Sequence, residues 1–118
     1  MAYMLLIHEP VGQRQQRSEA EGHEVYERMV QFAGGLKRRG VLRAVESLSS
    51  PGTSASRIKV DNGKAQVLDG PFAEAKEMVG GFFLVDVPTR EEAMAIAREC
   101  PAAEWATIEV RETGPCYT

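Results

Sequence analysis

Two short runs in this chain are apolar at every position: Tyr3-Met4-Leu5-Leu6-Ile7 and Phe82-Phe83-Leu84-Val85. Successive side chains of a strand point to opposite faces, so a strand apolar at odd and even positions alike is buried on both faces. That requirement restricts the fold more than any other feature: the sheet built from these runs needs a cover on each side. Pro10 and Gly12 close the first strand, and the polar residues 13–17 read as a loop. The second run lies inside a strand expected over residues 79–87.

Ser18, followed three residues later by Glu21, is a capping box that predicts a helix from Ser18 to about Arg39, with Gly40 as its stop. Val25, Met29, Phe32 and Leu36 recur at spacings of four, three and four, and Tyr26, Val30 and Ala33 widen that stripe. Gly34 and Gly35 inside the helix cost about 1 kcal/mol each relative to Ala, so tertiary packing must hold the last turns. Thr89 and Glu92 read as a second capping box. Ala93, Ile96, Ala97 and Cys100 form the buried stripe of a second helix, which Pro101 ends.

Residues 41–48 and 105–111 read as further strands. In the last one, Ala106, Ile108 and Val110 face one way and Trp105, Thr107, Glu109 and Arg111 the other. Residues 49–54 are a loop by composition. A small hairpin follows, pairing residues 57–60 with 64–68 around a three-residue turn, Asp61-Asn62-Gly63. Pro71 suits the first position of a helix, which predicts one or two helical turns over residues 72–78.

The long elements thus run strand, helix, strand, strand, helix, strand. This is the pattern of a ferredoxin-like α+β fold, βαββαβ with an extra small hairpin, in a single domain over residues 1–118. Both helices lie on one face of such a sheet. The doubly apolar strands still need a second cover, and a homodimer pairing sheet to sheet, of the dimeric α+β barrel type, supplies it.

Composition narrows the partners. With 43% hydrophobic and 26% charged residues, the 118-residue chain matches an ordinary globular domain. No apolar run approaches the roughly 20 residues that span a bilayer. The N-terminus lacks a basic region and a small-residue cleavage site, so a cytoplasmic protein without membrane partners is expected. A net charge of −3, with neither a helix-turn-helix nor a basic stripe, argues against direct nucleic-acid binding. The one basic run, Lys37-Arg38-Arg39, sits where cations complement a helix dipole. Cys100 and Cys116 form no CxxC and read as reduced thiols. His8 and His23 show no metal-ligand spacing with nearby carboxylates. No metal or other cofactor is expected.

The segment Asp69-Gly70-Pro71-Phe72-Ala73-Glu74-Ala75-Lys76-Glu77, followed by Gly80-Gly81-Phe82, resembles the signature of the DGPF branch of the YCII-related family. The opening Tyr3-Met4-Leu5-Leu6-Ile7 and the closing Ile108-Glu109-Val110-Arg111 resemble that family's first and last strands, so the resemblance covers essentially the whole chain. It implies a ferredoxin-like fold that dimerises through its sheets. In some relatives it implies lyase-like acid/base chemistry on aromatic substrates by a His and an Asp. In others it implies an association with extracytoplasmic-function sigma factors.

His23 lies in the first helix where the enzyme-like relatives carry their functional His. At 100° per residue it falls on the edge of the apolar stripe, and an imidazole suits acid/base work when it has a partner. Those relatives place their Asp directly before a Pro after the second helix, where this chain has Cys100-Pro101. Asp69, in the signature loop, is the substitute; an Asp before Gly-Pro also caps its own turn. Glu74, Lys76 and Glu77 form a solvated face or rim a cleft. Glu109 and Arg111 share the dimer-side face, and His8 and Glu9 end the first strand at the same opening. The expected site is therefore a catalytic pair, His23 and Asp69, with His8, Glu74, Lys76, Glu109 and Arg111 as ligand-binding residues. Three functions stay open: a small-molecule-binding dimer with His/Asp chemistry, a sigma-factor partner acting through protein contact, and a non-catalytic binding domain. The ligand's identity is not legible in the chain.

Overall fold

The doubly apolar runs become the two central strands of a four-stranded sheet. The computed structural model describes residues 1–50 and 55–117. Along it run β1 (Ala2–Pro10), a 3-10 turn (Arg14–Gln16), α1 (Glu19–Arg38), β2 (Leu42–Ser47), β3 (Ser56–Asp61), β4 (Lys64–Asp69), β5 (Glu77–Asp86), α2 (Arg90–Glu99), a second 3-10 turn (Pro101–Glu104) and β6 (Thr107–Glu112). The main sheet has the antiparallel order β2-β5-β1-β6, and β3 pairs with β4 in a separate hairpin. Of the expected loop over residues 49–54, residues 51–54 lie outside the described residues.

One face of the sheet makes the core. Tyr3 lies opposite Val85, Leu5 opposite Phe83 and Val110, and Ile7 opposite Ile108. These side chains pack with Leu36 of α1 and with Ala93, Ile96 and Ala97 of α2. Phe32 meets Phe83 edge-on, ring centroids 5.4 Å apart, the geometry that ring quadrupoles favour. Ser18 accepts from the Glu21 N–H while Glu21 accepts from the Ser18 N–H, so the first capping box is closed. Gly40, at φ +74°, stops α1 in the left-handed region open to glycine. Thr89 accepts from the Glu92 N–H, and only that half of the second box forms.

Three expectations need correction. The hairpin turn has two residues: Asp61 pairs with Lys64, leaving Asn62 and Gly63, both at positive φ. Asn-Gly in that conformation is the tight turn whose twist matches the strands, and it outcompetes a three-residue loop. Residues 72–78 are not helical. Only one turn forms, closed by the Ala75 N–H on the Phe72 carbonyl, and Glu77 and Met78 already pair with Pro10 and Glu9. Cross-strand pairing with β1 overrides the local helical tendency. Trp105 falls outside β6, in the preceding turn, and does not share a face with Glu109 and Arg111.

The outline is a slab, 46 × 43 × 19 Å, with a radius of gyration of 16.1 Å, against about 13–14 Å for a compact chain of this length. On the sheet face away from the helices lie Met4, Leu6, Phe82 and Leu84, all half-buried. The hairpin exposes Ile58, Val60 and Val67. Among the described residues no helix is long and apolar enough to cross a membrane.

Candidate functional site

The helix α1 carries an apolar stripe over its whole length, yet only Leu36, in its last turns, is buried. Val25 and Met29 are half-buried; Tyr26 and Val30 are exposed at 61% and 45%. The N-terminal half of the helix therefore stands off the sheet. The space beneath it is a cleft of about 540 Å³. Val25, Met29 and Val30 form its helix wall, Ile7 and Phe83 its floor, and Trp105 closes one side.

A charge pair is set into this apolar wall. Glu9 continues the inward-facing series Tyr3, Leu5, Ile7 and is buried with 6% exposure. Its partner is Arg14, whose Nε donates to Glu9 Oε1 at 2.5 Å. Arg14 Nη1 donates to the Leu48 carbonyl at 2.7 Å and Nη2 to the Gly80 carbonyl at 3.3 Å. A buried carboxylate without such a partner would cost several kcal/mol. The room for it comes from β5. The register passes from Ile7 opposite Gly81 to His8 opposite Val79, so Gly80 is bulged out of the ladder. A Cβ at Gly80 would collide with Glu9 Oε2, and one at Gly81 would lie 2.7 Å from the Glu46 carbonyl oxygen. The adjacent glycines thus serve two close approaches, one by a side chain and one by a backbone.

Trp105 is held from three directions. Gln13 Nε2 donates to its carbonyl at 2.8 Å. The Arg17 and Arg28 guanidinium groups lie 5.6 and 5.4 Å from its ring centroid, contacts worth about 0.5–1 kcal/mol each at exposed sites. Arg28 also pairs with Glu104, and that hydrogen bond is the main reason its pKa is raised further.

The sequence-predicted residues occupy other places. His23 is exposed on α1 and does not line the cleft; among the described residues its side chain makes no hydrogen bond or ion pair. Asp69 ends β4, exposed, and accepts from Ser56 Oγ at 2.5 Å. Glu74 and Lys76 are exposed in the signature loop, where the Lys76 carbonyl accepts the Val11 N–H at 2.9 Å. The structure does bring together His8, Glu109 and Arg111. His8 Nε2 lies 2.7 Å from Glu109 Oε1, and Arg111 Nε 3.7 Å from Glu109 Oε2. His8 belongs to a second opening of about 650 Å³ beside the hairpin, where Arg57 stacks on Phe72 at 3.9 Å. Among the described residues, no cluster of three or more His, Cys, Asp or Glu side chains could hold a metal ion.

Sequence reasoning missed Arg14, Arg17 and Trp105 as cleft residues. Two glycines inside an otherwise apolar strand were a readable sign of a bulge or close approach. Arg14 and Arg17 sit in a polar stretch with no periodicity and gave no sign.

Comparisons with known proteins agree with this architecture. The family profile described as the YCII-related domain matches residues 1–115. An uncharacterised protein of Rhizobium meliloti (strain 1021) is 41% identical over 63 residues, 52% of this chain and 51% of that protein. The chain thus spans about half the length of the curated relative it matches. Among solved structures it is similar to 5-chloro-2-hydroxyhydroquinone dehydrochlorinase from Burkholderia phenoliruptrix AC1100, in complex with 2,5-dihydroxybenzoquinone. The TM-score is 0.60 at 14% identity, covering 97% of this chain and 94% of that one. At that identity the likeness bears on the fold alone.

Proposed function

Because the chain belongs to the YCII-related domain family, we propose that it is a small-molecule-binding dimer whose ligand occupies the cleft beneath α1. The observation that carries this reading is the unspent apolar face of that helix. A 20-residue amphipathic helix whose stripe is buried only near its end leaves Val25, Met29 and Val30 facing a cavity of about 540 Å³. That size and an apolar lining with a few fixed polar groups are what small-molecule sites share. The solved relative of similar fold holds a quinone ring, which sets the scale of compound to try.

A second copy is the expected cover of the open sheet face. Met4, Leu6, Phe82 and Leu84 give that face an apolar centre, and Glu109 and Arg111 give it charges of both signs. A two-fold interface needs such self-complementarity. The exposed Ile58, Val60 and Val67 of the hairpin add apolar surface that a partner would bury. Sheet-to-sheet pairing leaves the cleft on the helix side open to ligand. Two free thiols suit a reducing, cytoplasmic setting.

Acid/base catalysis by His23 and Asp69 is the finer form of this reading. The bond from Ser56 to Asp69 favours a structural part for that carboxylate, so binding stands ahead of catalysis. Thermal shift with hydroxylated ring compounds tests the proposal. Ligand at 100 times its Kd should stabilise the protein by about 2.7 kcal/mol. Met29→Trp, which fills the cleft, should abolish the shift. A shift that persists in that variant places the ligand elsewhere and ends the reading.

A further inference from the structure

Two carboxylates line the cleft, Glu9 and Glu46; Glu46 is exposed, and Glu9 is the buried one, with an open acceptor position. The Glu9 side chain is 7% exposed and lines the cleft. Oε1 takes the Arg14 Nε–H, while among the described residues Oε2 takes no hydrogen bond. Arg14, by contrast, has committed every nitrogen: Nε to Glu9, Nη1 to Leu48 and Nη2 to Gly80. Arg17, the other cation of the wall, is stacked on Trp105 and donates to Gln13 Oε1 at 3.3 Å. The site therefore presents a charged acceptor in an apolar wall, and its cations are already engaged. An ionised acceptor makes hydrogen bonds about twice as strong as a neutral one. A second anion placed beside it meets like charge.

We propose that Glu9 sets the specificity of the cleft. The ligand is a flat, neutral, apolar molecule that carries a hydroxyl donor, as phenols do, and directs it to Oε2. The proposal rests on the cleft being the binding site and goes further, by ranking ligands according to their polar group. Gly80 belongs to the same device, because its missing side chain is the space that Oε2 occupies.

Three ring probes of similar size separate the possibilities: phenol, anisole and benzoate. Trp105 is the protein's only tryptophan and lines the cleft, so its indole N–H resonance reports occupancy without assignment ambiguity. Phenol should bind on the order of tenfold more tightly than anisole, the worth of one hydrogen bond to a charged group, and benzoate should bind most weakly. Glu9→Gln, which turns an N–H2 toward the ligand when its oxygen keeps the Arg14 bond, should bring phenol and anisole to near parity. Gly80→Ala should do the same by displacing the carboxylate, and the wild-type ranking decides the matter even when neither variant folds. Anisole or benzoate binding as tightly as phenol overturns the role of Glu9 and leaves the cleft standing. Indole shifts with none of the three overturn both.

Discussion

Glu9 and Gly80 show how much a single position can depend on another far along the chain. Glu9 was readable as the end of a strand. That it would turn inward, against a bulge at Gly80 in β5, depends on a register set by two strands about 70 residues apart. The cysteines make a simpler case. Cys100 is 2% exposed, and burial pushes its thiol up, so it stays protonated and shielded; Cys116 is exposed. A disulfide reagent near pH 8 should titrate one thiol rapidly and the second only on unfolding. Two fast thiols would contradict the packing of α2. Ser18→Ala should cost about 1 kcal/mol by opening the N-cap. The backbone hydrogen bond from Ser18 holds the Glu21 carboxyl below its ordinary pKa. Its contribution is therefore present above the unfolded value and lost as pH falls through the lowered folded one. Denaturant melts of wild type and Glu21→Gln, which keeps an acceptor for the Ser18 N–H and removes the charge, should converge in acid, and a gap that is constant with pH would exclude that linkage.

At the scale of elements, local signals placed most boundaries. Ser18 with Glu21 started α1, Gly40 ended it, and Asn62-Gly63 turned the hairpin. The errors arose where pairing overrode local tendency, as at Glu77 and Met78, drawn into β5 by β1. Periodicity identified the apolar stripe of α1 but not the gap beneath it. A side chain facing a cavity and one facing a core have the same spacing, so the candidate cleft was not legible although its walls were. The same distinction has an energetic consequence. Leu36→Ala should destabilise by about 2–5 kcal/mol, as truncations in packed cores do. Tyr26→Ala should stay within about 0.5 kcal/mol. Equal losses in urea melts would mean that the N-terminal half of α1 is packed after all.

For the whole molecule, the doubly apolar runs marked the two strands that lie at the centre of the sheet and called for a second cover. Phe83 is buried on the helix side, at 2% exposure, and Phe82 lies on the open face. Light scattering should give about twice 13.0 kDa. Phe82→Asp should yield soluble monomer, whereas Phe83→Asp should fail to fold. A wild-type monomer at micromolar concentration would remove the dimer. The binding claim is tested most directly by an amide-resolved NMR titration with 2,5-dihydroxybenzoquinone, which reads both openings of the protein at once. Saturable shifts should concentrate on the Gly22, Val25, Met29 and Gly81 amides and the Trp105 indole, all on the cleft beneath α1. Shifts gathered instead on Val11, Ala55, Phe72 and Val79, around the opening beside the hairpin, or no saturation at all, would contradict it.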